Sequence, residues 1–332
     1  MKSNKQDNYT NISGSLEAQV KDNKRYLEYR DGWINNPKMN KVSKFPLNVD
    51  IELTNACNLK CPHCARTNNT WGSEDVGFMD KKLVKKILDE VNKEGGYCVK
   101  FSLRGEPLLH KDLIEILKYA KDTNLEEFYF NTNATLLTEK LSKELVDLKL
   151  PRISISVSGW DKETFEKSQY GASFEKVCEN IKKLKEYRDS IGSKFPRIRI
   201  QVVLTPETQK NLKKFERLWE GMADELGGIE YREEKNEIKN ENKKDNGFRC
   251  EFPWRRLVVL WDGTTYPCLF HGVRSAEELI LGNVKYDLLK KLWNSDKINK
   301  IRKKHVEGKS HNIKSCANCS YRATIINRIV KK

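Results

Sequence analysis

Cys57-Asn58-Leu59-Lys60-Cys61-Pro62-His63-Cys64 is the most informative segment of this 332-residue chain. Its three thiols are spaced i, i+4 and i+7, a spacing that would form one buried stripe on a helix. Pro62 argues against that helix, because a proline inside a helix removes a hydrogen bond and clashes with the preceding turn. Asn55 and Asn58 also favour turns. The segment is therefore predicted to be a loop that directs three sulfur atoms at a common ligand.

The residue types alone leave three interpretations of this loop open. One is a zinc ion with His63 as the fourth ligand, although adjacent residues such as His63 and Cys64 rarely point at the same ion. Buried structural thiols are the second interpretation. The third is a [4Fe–4S] cluster, in which three thiolates leave one iron without a protein ligand. We favour the third, because an open metal position is what chemistry requires.

From Phe45 onward the sequence alternates between predicted strands and helices. Six strands are predicted around residues 47–53, 99–103, 128–130, 153–157, 198–204 and 229–231, with an amphipathic helix after nearly every strand. Asp80 and Thr138 are predicted to cap two of these helices. This order predicts parallel strands that are joined by right-handed crossovers.

Several of these strands have one apolar and one polar face, whereas the strands of a closed, filled barrel are apolar on both sides. The polar face must contact water or a ligand. The sequence therefore predicts an incomplete (β/α)6 barrel, whose inner wall includes Asp50, Glu52, Ser102 and Arg199. Such a cavity would suit a sugar, an aminocyclitol or a nucleotide-linked sugar. A half-exposed antiparallel sheet is the alternative, and the repeated helices argue against it.

The Cys57-x3-Cys61-x2-Cys64 pattern resembles the signature of the radical S-adenosylmethionine (radical SAM) superfamily. The resemblance implies that the open iron of a [4Fe–4S] cluster binds SAM through its amino and carboxylate groups. It further implies that the reduced cluster cleaves SAM to a 5′-deoxyadenosyl radical. A partial (β/α)6 barrel is also implied, in agreement with the fold predicted from the strand pattern.

Arg104-Gly105-Glu106-Pro107 follows the second predicted strand and resembles the Gly-Gly-Glu-Pro motif of that superfamily, with Arg104 in place of the first glycine. The resemblance implies that Gly105, Glu106 and Pro107 contribute to SAM binding. A carboxylate suits the ammonium group of SAM, and glycine allows the backbone to approach a ligand closely.

Further contacts with SAM are expected where later strands end, because barrel enzymes place their sites at the C-terminal ends of strands. Asn131 and Asn133 follow the third strand, either as turn formers or as contacts to the nucleoside. Ser156 and Ser158 stand where relatives contact the ribose, and Ser158 replaces a common aspartate. Arg199 is predicted to bind the SAM carboxylate or an anionic substrate.

The C-terminal region contributes four more cysteines, Cys250, Cys268, Cys316 and Cys319, the last two as a C-x2-C pair. Four thiols can ligate a zinc ion or a [4Fe–4S] cluster, and residues 257–267 are predicted to form a β-hairpin. Behind a radical SAM signature, the spacing resembles the shortened SPASM, or Twitch, domain. That resemblance implies one auxiliary [4Fe–4S] cluster. Its ligation by four cysteines would leave no iron open for substrate and implies a role in electron transfer.

An electron-accepting cluster suits oxidation, so the expected reaction is dehydrogenation of a polar small molecule. The alternatives are an oxidative cross-link or an epimerisation in a peptide, and a non-catalytic redox sensor that binds metal. Epimerisation needs a hydrogen-atom donor, for which Cys98 and Cys178 are the spare thiols. Cys178 is expected in a helix core, and Cys98 is expected at the end of the barrel away from the site. Cys98 and Arg199 are the candidate catalytic residues.

Four segments are expected along the chain. Residues 1–45 would form an arm with a short helix, anchored by Tyr26, Tyr29 and Trp33, and residues 46–232 would form the barrel. A charged linker would cover residues 233–249, and the auxiliary-cluster domain would cover residues 250–332.

Composition restricts the compartment and the partners. The formal net charge of +15 is spread over the predicted helices, and no aromatic RNA-binding motif is present, so nucleic acid is disfavoured as a partner. Nine cysteines without an export signal indicate metal ligation in a reducing cytoplasm. No apolar run approaches the ~18 residues of a membrane span. The expected partners are a small-molecule or peptide substrate and an electron donor such as flavodoxin or ferredoxin.

Overall fold

The computed structural model describes residues 9–14, 23–64, 66–67, 75–231, 245, 247–268 and 276–330. These residues form one ten-stranded mixed sheet with helices packed against it. The strands are β1 (Tyr9–Gly14), β2 (Asn48–Ile51), β3 (Cys98–Lys100), β4 (Glu127–Thr132), β5 (Arg152–Ser156), β6 (Arg197–Leu204), β7 (Glu225–Glu230), β8 (Arg256–Val259), β9 (Thr264–Tyr266) and β10 (Gly282–Asn283).

Thirteen α-helices lie in the described part of the chain. They are α1 (Lys24–Met39), α2 (Lys81–Lys93), α3 (Leu113–Lys121), α4 (Glu139–Asp147), α5 (Lys162–Ser168), α6 (Phe174–Ser190), α7 (Pro206–Lys210), α8 (Leu212–Trp219), α9 (Phe252–Arg255), α10 (Leu289–Trp293), α11 (Asp296–Val306), α12 (Lys314–Ala317) and α13 (Ser320–Val330). No helix in this part of the chain combines the length and the apolarity needed to cross a membrane.

The centre of the sheet is a run of six parallel strands. β2 to β7 lie side by side in sequence order, and each neighbouring pair is parallel. β2 and β7 do not pair with each other, because β8 lies outside β2 and β1 lies outside β7. The predicted incomplete (β/α)6 barrel is therefore confirmed, and the antiparallel alternative is wrong.

The two faces of the parallel strands differ as their alternation predicts. The apolar side chains pack with the helices in one continuous core, which includes Val49, Phe101, Phe130, Ile155 and Ile200. The alternate side chains are polar or charged and face the inside of the barrel. Burial of the apolar face supplies the main favourable free energy for this layer, so the fold leaves the inner face available for polar chemistry.

Two predicted helix caps are present. The Asp80 side chain accepts a hydrogen bond from the Lys82 backbone N–H at the start of α2, and Thr138 accepts one from Leu141 N–H at the start of α4. Each side chain satisfies a backbone donor that the first turn of a helix leaves unpaired. Both predictions are confirmed.

The N-terminal arm is more structured than its polar composition indicated. Its helix α1 has 16 residues, not the short length expected, and Asn23 caps it. Strand β1 was not predicted, and it pairs antiparallel with β7 at the open edge of the parallel strands. The aromatic anchors of α1 do contact the barrel: the Tyr29 ring stacks on Tyr97 with centroids 4.3 Å apart. The guanidinium of Arg255 lies 4.8 Å from the centroid of Trp33.

The C-terminal region extends the barrel sheet. β8 pairs parallel with β2, and β9 folds back on β8 as the predicted hairpin. Most of the predicted linker, residues 233–249, lies outside the described residues. Asp245 within that segment is buried and accepts hydrogen bonds from Ser310 and Arg322. The cysteines of this region are consequently built onto the edge of the barrel beside β2.

Candidate active site and auxiliary metal centre

The cysteine loop begins directly after β2, at the C-terminal edge of the parallel strands. Cys57, Cys61 and Cys64 are all partly exposed there. The loop is held by its own backbone, since Cys64 N–H donates to Cys61 C=O at 3.1 Å and Leu59 N–H donates to Cys57 Sγ at 3.5 Å. The predicted loop is therefore found, and it presents the three sulfur atoms at one side of the barrel mouth.

Two of the loop thiols, Cys57 and Cys61, are poorly disposed to ionise on their own. Burial raises the pKa of Cys57 and raises the pKa of Cys61 to about 12, and the neighbouring thiols add repulsion in both cases. Such groups become thiolates when a bound cation compensates the charge. The donor set fits three-cysteine ligation of an iron–sulfur cluster that keeps one iron open.

His63, the proposed fourth ligand of a zinc site, is exposed. Its ring contacts Tyr231 edge-on, with centroids 5.2 Å apart. Across the described residues, no three or more His, Cys, Asp or Glu side chains are grouped closely enough to hold a single metal ion.

The Gly105-Glu106 turn packs against the backbone of the cysteine loop. Glu106 N–H donates to Ala56 C=O at 2.7 Å. A Cβ atom on Gly105 would lie 2.3 Å from Thr54 O and 2.5 Å from Ala56 O, distances that no side chain tolerates. Glycine is therefore required at position 105 for close contact between the two loops, and this contact fixes the position of Glu106 relative to the cysteines.

The carboxylate of Glu106 links the ends of β3 and β4. It accepts hydrogen bonds from Thr132 Oγ1 at 2.7 Å, Asn133 N–H at 2.8 Å and Leu108 N–H at 3.1 Å. Glu106 is 2% exposed, and this burial raises its pKa even though the three donors act in the opposite direction. Its charge is close enough to Cys57 to raise the pKa of that thiol, so the carboxylate is near the cysteine loop.

Asn133 lies against the cysteine loop. Its side-chain amide donates to Asn58 Oδ1 at 3.1 Å, and its Nδ2 lies 4.0 Å from Cys57 Sγ. Asn131 is further down β4, where its backbone N–H donates to Ser102 Oγ at 2.9 Å. The structure therefore brings Asn133, and not Asn131, to the cysteine loop.

Ser156 and Ser158 lie at and just beyond the end of β5. Gln201 on β6 donates from Nε2 to Ser156 Oγ at 3.2 Å, and Ser158 N–H donates to Gln169 Oε1 at 2.8 Å. Sequence reasoning did not assign a site role to Gln201 or Gln169. Gln201 alternates with the buried Ile200 and Val202, and that alternation is the sequence signal that places it on the inner wall.

Each charged residue predicted to line the cavity is paired with an opposite charge from another part of the chain. Arg104 meets Glu52 through Nε–Oε1 at 2.5 Å and Nη2–Oε2 at 2.7 Å. Arg256 Nη1 lies 2.8 Å from Asp50 Oδ2. Asp50 and Glu52 were expected to line a cavity that accommodates a sugar, and each carboxylate is buried and paired with an arginine, which argues against direct binding of a sugar by either one. Ser102 likewise bonds within the wall.

Arg199 is also held within the protein. Its Nε lies 2.6 Å from Glu225 Oε1, and it is only the third residue of the eight-residue strand β6. Arg199 therefore lies toward the N-terminal end of the barrel, level with Ser154. Both the pairing and the depth argue against the predicted role as a ligand of SAM or of an anionic substrate.

The two spare thiols lie away from the cysteine loops. Cys98 is buried at the start of β3, and burial raises its pKa well above the ordinary value. Cys178 is partly buried on α6, where it packs against the main core. Neither position is suited to donating a hydrogen atom to a substrate at the C-terminal end of the barrel.

The four C-terminal cysteines line one cavity. Cys250, Cys268, Cys316 and Cys319 come from three separate segments of the chain and are enclosed mainly by apolar and aromatic side chains, among them Phe248, Phe252 and Tyr321. Burial raises the pKa of Cys250 and Cys316 well above the ordinary value. The thiols are close enough to repel one another electrostatically, and a cluster ligated by four thiolates would draw on such a set.

A histidine also lines this cavity. His305 Nε2 lies 3.8 Å from Cys316 Sγ, and burial lowers the pKa of His305 to about 4. Arg322 is on the opposite helix α13 and forms an ion pair with Asp245 at 2.7 Å. The cavity wall thus contains a neutral imidazole and a compensated guanidinium beside the sulfur atoms.

Comparison with protein-family models identifies the class of protein. The model of the radical SAM superfamily matches residues 51–218, and the model of the SPASM iron–sulfur cluster-binding domain matches residues 250–320. The chain belongs to the radical SAM superfamily. Its reaction therefore uses a [4Fe–4S] cluster and SAM, and its C-terminal domain is of the type that binds auxiliary iron–sulfur clusters.

One relative is similar over most of both chains. It is the tungsten-containing aldehyde ferredoxin oxidoreductase cofactor-modifying protein of Pyrococcus furiosus, which is 27% identical over 319 residues, covering 82% of this chain and 86% of the relative.

Two solved structures share the fold at low sequence identity. BtrN in complex with AdoMet and 2-DOIA superimposes with a TM-score of 0.54 and 19% identity, covering 84% of this chain and 94% of BtrN. Streptococcus suis SuiB bound to its precursor peptide SuiA gives a TM-score of 0.60 and 17% identity, covering 95% of this chain and 77% of SuiB.

Proposed function

We propose that this protein is a radical SAM dehydrogenase that oxidises a secondary alcohol of a polar small molecule, such as a sugar or an aminocyclitol, to a ketone. The observation that carries the proposal is the enclosed cavity lined by Cys250, Cys268, Cys316 and Cys319. Four thiolates would occupy every iron of a cubane. A cluster held there can exchange electrons but has no open iron for substrate, which suits a reaction that must dispose of an electron.

When bound and reduced, the cluster held by Cys57, Cys61 and Cys64 supplies the electron that cleaves SAM to methionine and a 5′-deoxyadenosyl radical. The contributions of the chain to this step are positional. Glu106, fixed by three donors, would bind the SAM ammonium, while Gly105 keeps the motif in contact with the loop. Asn133 directs an amide N–H at Cys57 and stabilises negative charge on that sulfur.

The proposed oxidation balances as follows. One hydrogen atom leaves the carbinol carbon and becomes the third hydrogen on the 5′ carbon of 5′-deoxyadenosine. The hydroxyl proton would go to solvent, and a cluster held by Cys250, Cys268, Cys316 and Cys319 would accept the remaining electron. The substrate thus loses two electrons and two protons in total. An external donor such as flavodoxin or ferredoxin supplies the electron for SAM cleavage, and such oxygen-sensitive chemistry suits the cytoplasm.

The inner wall supports an uncharged, hydroxyl-rich substrate. Its charges are matched in pairs, as in Arg199–Glu225 deep in the barrel and Arg104–Glu52 just beyond the ends of β2 and β3. The groups nearer the C-terminal edge, such as Ser156 and Gln201, are neutral hydrogen-bonding groups. The similarity to BtrN, which was solved with 2-DOIA, also favours a small-molecule substrate.

A peptide substrate is the second candidate. It is favoured by the similarity to SuiB, which was solved with its precursor peptide. In that case the same electron acceptor would serve an oxidative cross-link within the peptide.

One experiment distinguishes these candidates. The iron-loaded protein is incubated anaerobically with SAM, a reductant and separate panels of sugars, aminocyclitols and short peptides, and 5′-deoxyadenosine and substrate mass are measured. We expect a mass loss of about 2 Da in a small molecule, with deuterium transfer into 5′-deoxyadenosine from substrate labelled at the carbinol carbon. Turnover of peptides alone would favour the second candidate, and product of unchanged mass would contradict oxidation. The Cys61→Ala variant is the control for background cleavage.

A further inference from the structure

The cavity lined by Cys250, Cys268, Cys316 and Cys319 is called the auxiliary cavity below. Among the described residues, His305 is the one histidine that lines it. It lies in the last turn of α11 and is 3% exposed. The motifs that resemble the superfamily do not include a histidine at position 305, and the sequence alone did not predict a role for His305. Its position raises the question of which group in the cavity it serves.

The side chain of His305 has one polar partner among the described residues. Nε2 lies 3.8 Å from Cys316 Sγ, whereas Nδ1 is buried without a hydrogen-bond partner among the described residues. The ring is otherwise covered by Phe248, whose centroid is 6.3 Å away in an edge-on arrangement. A buried imidazole with a single polar neighbour is oriented by that neighbour.

The chemistry of the two atoms fixes the direction of the contact. A neutral imidazole has one N–H, and a metal-bound thiolate has no proton and can only accept. The tautomer with hydrogen on Nε2 therefore donates to sulfur, and the other tautomer would place two lone pairs against each other. Hydrogen bonds to the sulfur atoms of an iron–sulfur cluster are among the main determinants of its reduction potential.

We infer that His305 is a positioning residue of the auxiliary centre, which donates an Nε2–H hydrogen bond to the Cys316 thiolate and raises the reduction potential of the cluster. The reduced cluster carries one more negative charge on iron and sulfur, so a donor stabilises it more than the oxidised form. A higher potential makes transfer of the electron from the substrate radical to the cluster more favourable. This inference rests on the proposed function, in which Cys316 is a ligand of an electron-accepting cluster.

The test is a redox titration followed by electron paramagnetic resonance. Cys57, Cys61 and Cys64 are all replaced by Ala, so that only the auxiliary cluster remains, and the protein is reconstituted anaerobically. In this background His305→Leu removes the donor at similar volume, while His305→Gln keeps an N–H at the position of Nε2. We expect a negative shift of the midpoint potential for His305→Leu and a value near that of the background protein for His305→Gln. Equal potentials for all three proteins would overturn the inference.

A second measurement needs no substitution of His305. The background protein is prepared with 14N- or 15N-labelled histidine, and the reduced cluster is examined by pulsed electron paramagnetic resonance. We expect a weak coupling to one histidine nitrogen that changes with the isotope. No coupling, or a strong coupling typical of direct iron ligation, would overturn the hydrogen-bond assignment even if His305→Leu failed to hold a cluster. Absence of iron from the background protein would contradict the auxiliary centre itself, which is a failure of the proposed function.

Discussion

Arg104 and Glu52 form a buried two-point ion pair at the junction of the two cysteine-containing regions. Their side chains are 4% and 0% exposed, with Arg104 Nε 2.5 Å from Glu52 Oε1. Glu52 also accepts a hydrogen bond from the backbone N–H of Trp261, in the turn between β8 and β9. Arg104 occupies the place of a glycine in the motif of the superfamily, and its charge is compensated by Glu52, the residue directly after β2.

Glu52→Gln is expected to destabilise the fold strongly. Removing one member of a buried ion pair leaves the other charge without compensation, and this typically costs about 3–5 kcal/mol. The free energy of unfolding is measured by anaerobic chemical denaturation of the iron-loaded protein. Lys143→Ala, which breaks the exposed pair with Glu139, is the control and should change stability by about 1 kcal/mol or less. A similar small change for Glu52→Gln would contradict the structural role of the pair.

The double replacement Glu52→Leu with Arg104→Met tests the same pair from the other direction. Because both buried charges are removed together, we expect the double variant to be more stable than Glu52→Gln alone, by about the 3–5 kcal/mol that the uncompensated charge costs. The same denaturation series measures it. If the two variants proved equally unstable, the loss would arise from packing and not from the unpaired charge of Arg104.

Glu106→Gln is expected to weaken SAM binding and to leave cluster assembly intact. The change removes a charge-assisted hydrogen bond to an ammonium group, worth about 1.5–3 kcal/mol, which corresponds to about a 10- to 100-fold higher Kd. Isothermal titration or equilibrium dialysis with SAM measures the affinity, and iron analysis checks the cluster. Glu163→Gln, an exposed glutamate in the first turn of α5, is the matched control. Unchanged affinity in Glu106→Gln would overturn the assignment.

The pH dependence of SAM binding should reflect the protonation of the Glu106 carboxylate. Burial raises the pKa of Glu106, and the ionised form is the one that binds an ammonium group. SAM affinity should therefore fall as the pH is lowered through this raised pKa, at a higher pH than an exposed glutamate would cause. Affinity measured across the acidic range should show this component in the natural protein and lack it in Glu106→Gln. An identical pH profile in both proteins would rule out Glu106 as its source.

The sequence predicted the elements whose pattern is local. The cysteine loop follows from Pro62 and the spacing of its thiols, and the six parallel strands follow from the alternation around residues such as Ile155 and Ile200. The same alternation placed Glu52 and Arg199 on the inner wall. It could not show that each is neutralised by a neighbour, because pairing depends on the register between strands that are distant in sequence.

The edge strand β1, the position of β8 and the residues that line the cysteine cavity could not be predicted, for a related reason. β1 has a polar sequence, and only its pairing with β7 makes it a strand. The position of β8 beside β2 depends equally on a tertiary contact. His305 lies in a basic helix whose sequence gives no sign that one side chain enters a cavity lined by cysteines from three other segments.

Gly105→Ala is expected to disrupt the contact between the Gly105-Glu106 turn and the cysteine loop. The added methyl group would overlap the backbone oxygens of Thr54 and Ala56, and backbone cannot move aside as a flexible side chain does. We expect a loss of about 1–3 kcal/mol, with reduced iron content and weaker SAM binding. Gly192→Ala is the control, since that glycine has a φ of +65° and nothing within 4 Å. It should lower stability without affecting iron or SAM, and equal effects of both variants on SAM binding would contradict a local role for Gly105.

Cys319→Ala is expected to remove the auxiliary cluster while sparing SAM cleavage. Cys319 lines the enclosed cavity, and its backbone N–H donates to Cys316 C=O at 3.2 Å, so the C-x2-C pair would supply one half of the proposed four-thiolate site. Iron analysis should show a loss of about four irons per chain, the content of one cubane. The variant should still form 5′-deoxyadenosine on reduction but yield little oxidised product, because the substrate radical has no electron acceptor.

Cys178→Ala, which removes a thiol from a helix packed on the main core, should keep both clusters and full product formation. Unchanged iron in Cys319→Ala would contradict the second metal centre, and full product formation without that iron would contradict its role as the electron acceptor.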